Sequence, residues 1–270
     1  MTFLRTIGLV AALSLGMLLP YLPGRFDGSA TTLSFLIQVS SYASLLFVPP
    51  GVAWMLAPRR VRTWRKLTLW IAALVAVVAT FVAVADNQLA FGVLVGVIAV
   101  SVLRRLRRWT ATDIDGNGGR ASPVALGIVL APILLVAFMI MVLPRAAARS
   151  RDRAIRHSAP FISELESFHR RRGHYPVSLQ SLNRDIPTGV IGIERFHYEP
   201  NGDGYNLYFV RQSIALDAKE VVMYNPRDEH RFTSHERDIL QYDGEQVDVR
   251  RGDRRRTRLA HAHWLSILFD

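Results

Sequence analysis

Phe168 to Leu182, FHRRRGHYPVSLQSL, is the stretch on which the reading of this chain turns. Upstream of it, Phe161, Ile162, Leu165 and Phe168 recur at helical spacing, with Glu164, Glu166 and His169 on other faces. The spacing predicts a helix over Ser158–Arg172, with Ser158 near the cap, Pro160 in the first turn and Gly173 at the C′ position. Pro176 biases Tyr175 away from helix, so a Gly-His-Tyr-Pro turn follows, with Tyr175 packed on the rest of the domain and its hydroxyl in water. Val177–Leu182 then reads as a short helix presenting Leu179 and Leu182.

Downstream the period changes from helical to alternating. Ile191–Tyr198 and Tyr205–Arg211 read as strands around Pro200-Asn-Gly-Asp-Gly204, whose residues suit a hairpin turn. Glu220–Tyr224 reads as a third strand, ended by Asn225-Pro226. Asp238–Tyr242 and Gln246–Arg250 flank Asp243-Gly244 as a second hairpin, and His263–Phe269 closes the chain as an apolar strand. A helix followed by antiparallel strands makes residues 145–270 an α+β domain.

Residues 1–144 are different in kind. They hold five apolar segments, at about 4–22, 32–56, 67–85, 88–103 and 123–143, the longer ones matching the ~20 residues needed to cross a bilayer. The first reads either as a retained span or as a cleavable signal peptide, and the lack of a clear A-x-A site favours the span. Asp86-Asn87-Gln88 divides the third from the fourth, and Pro132 and Pro144 mark a kink in the fifth and its exit. Ser34, Gln38 and Ser41 form a polar stripe suited to bonding between helices. Ala72, Ala76, Thr80 and Gly92-x-x-x-Gly96 suit close helix packing. The fold class expected is therefore an α-helical membrane bundle of five spans plus a C-terminal α+β domain with its N-terminal helix packed on an antiparallel sheet.

Charge supports that division. The formal net charge is +11, but residues 1–144 carry 12 Lys/Arg against 4 Asp/Glu, and residues 145–270 carry 21 against 18. A nearly balanced domain argues against nucleic acid as a partner, and the basic excess lies in loops between apolar segments. Arg59, Arg60, Arg62, Arg65 and Lys66 crowd the second loop; Arg104, Arg105, Arg107, Arg108 and Arg120 crowd the fourth. The first loop has Arg25 alone. Positive-inside bias sets loops two and four in the cytoplasm, hence a cytoplasmic N-terminus and residues 145–270 outside a bacterial inner membrane. Arg145, Arg149, Arg151, Arg153 and Arg156 run against that bias, which a long translocated domain tolerates. Trp54, Trp70 and Trp109 lie near segment ends, where an interfacial aromatic belt belongs.

Chemistry is sparse. There are no cysteines, which removes disulfides, thiolate metal sites and a cysteine nucleophile. The segments hold almost no ionisable residues, which argues against ion pumping and intramembrane catalysis. Asp113-Ile-Asp115-Gly-Asn117-Gly118 resembles the opening of a calcium loop, but its twelfth position is Val124 where a glutamate is needed. All eight histidines lie beyond residue 144, and His261-x-His263 on a strand would share a face suited to one metal. Without a third ligand at a telling spacing, no metal, cofactor or catalytic residue is assigned. Ser158, Ser178 and Ser266 have no G-x-S-x-G context. Asp228, Glu229, His230, His235 and Glu236 read as a solvated loop, and Arg250–Arg258 as a basic exposed loop or hairpin with an alternative role on anionic lipid or an acidic partner.

Across about Ile155–Val210 the chain resembles the globular part of type IV pilins, and above all the type II secretion pseudopilins. The residues that carry the resemblance are Gly173, Tyr175, Pro176, Ser178, Leu179 and Leu182, then Asp203, Gly204, Tyr205 and Leu207. The resemblance implies an extracytoplasmic helix-on-sheet domain that works through protein contacts. The basic leader, glycine cleavage site and early glutamate of pilin precursors have no counterpart before the fifth apolar segment. The implied object is thus a pilin-like module fused to a membrane bundle rather than a processed filament subunit. Its partners would be the lipid bilayer and membrane or envelope proteins. A ligand-binding sensor is the alternative, and a membrane-bound enzyme follows it.

Overall fold

A computed structural model describes residues 2–56, 60–85, 93, 96–97, 100–101, 103–104, 107–108, 123–178, 187–212, 219–230 and 254–269. Two compact units emerge: residues 1–18 with 32–143, and residues 19–31 with 144–270.

The first unit is helical. Among the described residues its bounded helices are α1 (Thr2–Leu18), α2 (Gly28–Ser44), α3 (Val48–Leu56), α4 (Val61–Ala85) and α5 (Pro123–Met141). A 3₁₀ turn, Leu45–Phe47, joins α2 to α3. Among the described residues three helical segments are long and apolar enough to cross a membrane: Leu4–Tyr21, Gly28–Leu56 and one beginning at Pro123. The expected segment 67–85 falls within α4, and most of 88–103 lies outside the described residues. Small residues let these helices approach. A methyl group on Gly16 would stand 2.6 Å from Ile37, on Gly51 2.7 Å from Val129, and on Gly127 3.0 Å from Thr6. The polar stripe of α2 is buried: Ser34 Oγ donates across to the Met17 carbonyl (2.8 Å), Gln38 Nε2 donates to Ser34 Oγ (3.0 Å), and Ser41 Oγ donates back to Ile37 (2.7 Å). Of the expected aromatic belt, Trp70 is exposed and Trp109 lies outside the described residues. Trp54 is instead buried, packed with Val124, Ala125 and Trp64.

In the second unit α6 (Leu143–Arg172) is twice as long as the expected Ser158–Arg172 helix. The correction has a simple cause. Ala146–Ala148 and the arginines around them are strong helix formers, so the helix does not wait for Ser158. Pro144 therefore sits in the first turn of α6, and Pro160 in its interior. Pro160 and Arg156 are both exposed, so water can take the Arg156 carbonyl that the proline leaves unbonded. The helix stops as expected: Gly173 has φ +78° and its N–H donates to the His169 carbonyl (2.8 Å).

Among the described residues five strands follow: β1 (His197–Asn201), β2 (Gly204–Gln212), β3 (Lys219–Tyr224), β4 (Arg254–Arg258) and β5 (Trp264–Phe269). They form one sheet in the order β1-β2-β3-β5-β4, with every neighbouring pair antiparallel. One face meets α6 in a core of Ala154, Ile155, Phe161 and Leu165 with Tyr205, Leu207, Phe209, Val222 and Trp264. The other carries Tyr208, Val221, Met223, Leu265 and Ile267, also buried.

Several expected strands shift. The first hairpin pairs as far as Asn201 with Gly204, leaving Gly202 (φ +57°) and Asp203 as a two-residue turn with Pro200 inside β1. Residues 191–196 are not strand, and Ile191 and Gly192 at their start bond a segment far away in sequence. Gly192 N–H donates to Pro20 O (2.8 Å), Ile191 to Leu22 (3.1 Å), Gly24 to Gly189 (3.2 Å) and Asp27 to Ile191 (3.0 Å). Residues 20–27, read as the end of the first apolar segment and the loop after it, are thus a strap on this domain. Asp27 then starts α2, its carboxylate accepting from the Ser29 hydroxyl (2.5 Å) and N–H (2.9 Å) and the Ala30 N–H (3.3 Å). β4 is a strand where an exposed loop or hairpin was the reading; RRRTR has no apolar alternation, but an edge strand does not need one. The expected second hairpin, 238–250, lies outside the described residues, as does most of the expected helix 177–182, whose first two residues are not helical.

Candidate functional site

Polar groups buried between α6 and the sheet gather at two places. The first is built by the end of α6. Gly173 reverses the chain, so His169 stacks on Tyr175 (centroids 4.2 Å apart, 14° between planes) and His174 meets Phe168 edge-on. Tyr175 is half-buried, and its hydroxyl is not left to water: it donates to Glu166, at 3.1 and 3.2 Å from the two oxygens. Tyr205, fully buried on β2, donates to the same carboxylate at 3.2 Å. Tyr198 donates to the Pro176 carbonyl at 2.6 Å, fastening the turn to β1. The rings interlock, with Tyr175 edge-on to Tyr205 (4.8 Å) and Tyr198 stacked on it (5.6 Å). Burial, then the charge of Glu166, pushes the Tyr175 phenol up to about 12. Tyr198, Tyr205 and Tyr224 are also raised, in each case by burial first. Near neutral pH these phenols are donors, never bases.

The second lies toward the start of α6. Arg211 and Glu220 face one another across β2 and β3, both almost fully buried. Arg211 Nε donates to Glu220 Oε2 (2.6 Å), its Nη2 pairs with the same oxygen, and its Nη1 donates to the Ala147 carbonyl (2.7 Å). Arg151 Nη1 (3.3 Å) and Ser266 Oγ (2.6 Å) donate to Glu220 Oε1. Burial alone would raise the Glu220 carboxyl, but Arg211, the Ser266 hydroxyl and Arg151 outweigh it and hold the group below its usual range. Ser266 thus touches a carboxylate, but one made less basic by two guanidinium groups, which does not activate a hydroxyl. Ser158 spends its hydroxyl on the Ile155 carbonyl (2.7 Å), and Ser178 stands exposed after the turn.

The histidine pair is separated by the fold. His261 and His263 lie in the β4–β5 turn rather than on a strand, and His263 has φ +65°. His261 faces Asp152 (3.4 Å), whereas His263 faces Asp228 (3.2 Å). Among the described residues no three His, Asp or Glu side chains gather as a metal site. Asp228, Glu229 and His230 lie in a loop where Asp228 and Glu229 are exposed, and hydrogen bonds also tie that loop to its neighbours. Asn225 Oδ1 accepts from the Arg227 and Glu229 N–H groups, Asn225 Nδ2 donates to the buried Asn206, and His230 bonds the His263 carbonyl (3.1 Å). His235, Glu236 and the Asp113–Gly118 stretch lie outside the described residues.

Sequence reasoning passed over Glu166, Arg211 and Glu220. For Arg211 and Glu220 the signal was a single charged residue on the inward face of each of two apolar strands, legible only once the β2–β3 register opposes them. No protein-family model, no curated protein and no solved structure matches this chain. What the geometry offers is a set of clasps that lock a long helix to a sheet, with exposed surface around them.

Proposed function

We propose that this is an integral protein of a bacterial inner membrane whose pilin-like domain stands outside the cytoplasm and works by contacts with membrane or envelope proteins. The observation that carries the reading is the clasp at the end of α6. The Gly173, Tyr175 and Pro176 that carry the pseudopilin resemblance terminate the helix, meet Glu166 and bond β1 in turn. Tyr205 and Leu207, from the same matching set, lie in the core that α6 covers. Apolar α5 leads into α6 with only Val142 between them, the connectivity a pilin-like helix requires.

Topology receives support from the strap. Residues 19–31 and 144–270 form one unit, which supports the reading that both stand on one side of the membrane with an even number of crossings between them. Segments 32–56 and 123–143 supply two crossings. A hairpin of 67–85 and 88–103 supplies two more, giving the five spans, and the loop charges orient them with the N-terminus inside.

Paired reporter fusions after Arg120 and after Asp270 test the orientation: a cytoplasmic reporter active at Arg120 and an exported one active at Asp270 are expected. A cytoplasmic signal at Asp270 overturns it. Crosslinking of the full chain in membranes, followed by copurification of envelope proteins, tests the contact role.

The strap also favours a second reading, a sensor. It ties the chain between α1 and α2 to the domain, so a ligand that reorders residues 189–192 would be felt by those helices. Melting-temperature shifts of the full chain with small molecules or metal ions, with no stable protein partner, would select this reading.

A further inference from the structure

We propose that β4 is a docking edge for an acidic extended segment of a partner protein, which adds to the sheet as a further strand beside Arg256 and Arg258. The inference rests on the contact reading above and deepens it by naming the chemistry of the partner.

Among the described residues β4 pairs with β5 alone and stands at one end of the sheet. Arg255, Arg256, Thr257 and Arg258 are all exposed. The ladder shows which of them face outward. Leu259 N–H donates to the Trp264 carbonyl (3.1 Å), in register with Thr257 opposite Ser266 and Arg255 opposite Leu268. Bonded and unbonded positions alternate along an antiparallel pair. Arg255 and Thr257 therefore turn their backbone groups toward β5, and Arg256 and Arg258 turn theirs away from it. That edge presents an N–H and a C=O from each of two arginines. β1, at the other end of the sheet, is the poorer edge, because Pro200 has no N–H to offer.

Charge selects the strand that fits. On β5 the residues opposite Arg256 and Arg258 are Ile267 and Leu265, so neither guanidinium has a cross-strand carboxylate there. Among the described residues no carboxylate pairs with either, whereas Arg151, Arg211 and Arg227 each have one. Arg256 and Arg258 stand two apart and share a face of the sheet. A neighbouring strand sets its own alternate side chains about 5 Å from such a row, Cβ to Cβ. A basic segment would meet repulsion there, and an acidic one meets its complement. The charges that keep an edge from indiscriminate pairing thus choose its partner. A phosphate, free or on a lipid, answers half of the site. Its oxygens accept from N–H and guanidinium groups but give nothing to the outward carbonyls, which a peptide strand satisfies with its own N–H groups.

The test is fluorescence anisotropy of a labelled peptide of alternating glutamate and threonine, titrated with the full chain in neutral detergent micelles. Saturable binding is expected, and excess inorganic phosphate at matched ionic strength should not displace the peptide. Arg256→Gln/Arg258→Gln should weaken binding roughly fivefold, the scale of two exposed cross-strand ion pairs. Arg255→Gln, on the other face of the strand, should weaken it by less than about twofold. The same peptide N-methylated at its glutamate amides, which face β4 when the carboxylates lie opposite the arginines, keeps its charge and loses its strand donors. Its affinity should fall at least roughly tenfold. Equal binding of the methylated peptide would mean loose charge attraction without strand addition, and overturns the proposal. Unchanged affinity in the double variant and displacement by phosphate do so too, as does no binding to the wild type, the outcome if another part of the chain already holds this edge. An unchanged tryptic pattern of the domain separates lost binding from lost folding in the double variant. Peptide binding with no envelope protein captured by crosslinking would count against the contact reading and leave the edge site standing, a distinct result.

Discussion

α6 is held to its sheet at two places by opposite chemistry. Toward its start, the buried guanidinium of Arg211 and the partly buried one of Arg151 converge on Glu220, and Arg211 also bonds the helix backbone at Ala147. Toward its end, neutral phenols of Tyr175 and Tyr205 converge on Glu166. Both clasps satisfy one carboxylate, yet one must stay charged and the other depends on donors that stay neutral. The lesson is that a single helix–sheet interface can fail from either end of the pH scale, at a different place each time.

The ion-pair end should be the costlier to break. Arg211→Ala leaves Glu220 buried with Arg151 as its remaining cation and deprives the Ala147 carbonyl of a donor. A loss of about 3–5 kcal/mol is expected, measured by urea unfolding of the full chain in micelles with near-ultraviolet circular dichroism. The double replacement Arg211→Met/Glu220→Leu should recover most of it, because no charge is then stranded. A loss below about 1 kcal/mol in the single variant would mean the pair is not desolvated as drawn. The pH profile follows the same logic. Glu220 has a lowered folded pKa, so its contribution is present above its unfolded value, about 4.3, and is lost as pH falls through the lower folded one.

The strap comes next. A methyl on Gly192 would stand 2.7 Å from both the Pro20 Cβ and its carbonyl oxygen, the acceptor of the Gly192 N–H. Gly192→Ala should therefore cost about 2 kcal/mol. Hydrogen exchange should show the amides of Gly24, Asp27 and Ile191 losing protection while those of β2 and β3 keep theirs. If the sheet amides exchange in step with the strap, the two are one cooperative unit and the sensor reading loses its separate element.

These residues also show where sequence was informative. The helix stop at Gly173, the turn at Pro176 and the strands around residues 205–211, 220–224 and 264–269 were all legible, because a left-handed glycine, a proline and apolar runs act within a few neighbours. Local signals misled at Ser158, where a proline two residues on was taken for a helix start although alanines and arginines upstream favour helix. They were silent on β4, whose RRRTR carries no pattern, and on the strap, since the partners of Ile191 and Gly192 stand about 170 residues away. The clasps were half visible: Tyr175 was singled out, but its acceptor Glu166 was read as an outward residue, and Arg211 with Glu220 needed the strand register.

At the phenol end a smaller effect with the opposite pH sign is expected. Tyr205→Phe removes one donor to Glu166 and should cost about 1.5 kcal/mol at neutral pH. The raised phenols contribute stability fully below pH of about 10, their unfolded value, and lose it as pH rises, through about 12 for Tyr175. Wild-type protein should thus weaken steeply above pH ~10, and Tyr205→Phe less steeply. Parallel alkaline slopes would show that these hydroxyls are already ionisable in the folded state.

The smallest change sharpens the comparison most, because it touches neither clasp directly. Gly173 has φ +78°, and a Cβ there would meet nothing within 4 Å, so any cost of Gly173→Ala is backbone conformation alone. About 1 kcal/mol is expected for alanine, and less for Gly173→Asn, since asparagine tolerates the left-handed region. If the turn is what seats Tyr175 on Glu166, alanine should also shift the alkaline limb toward lower pH, as the phenol is loosened from its buried place, while leaving the acid limb set by Glu220 untouched. Equal movement of both limbs would mean that α6 shifts as a rigid rod and the two clasps are not independent. A stability loss with no movement of either limb would mean that Pro176 and the Tyr198 bond position Tyr175 without help from the glycine.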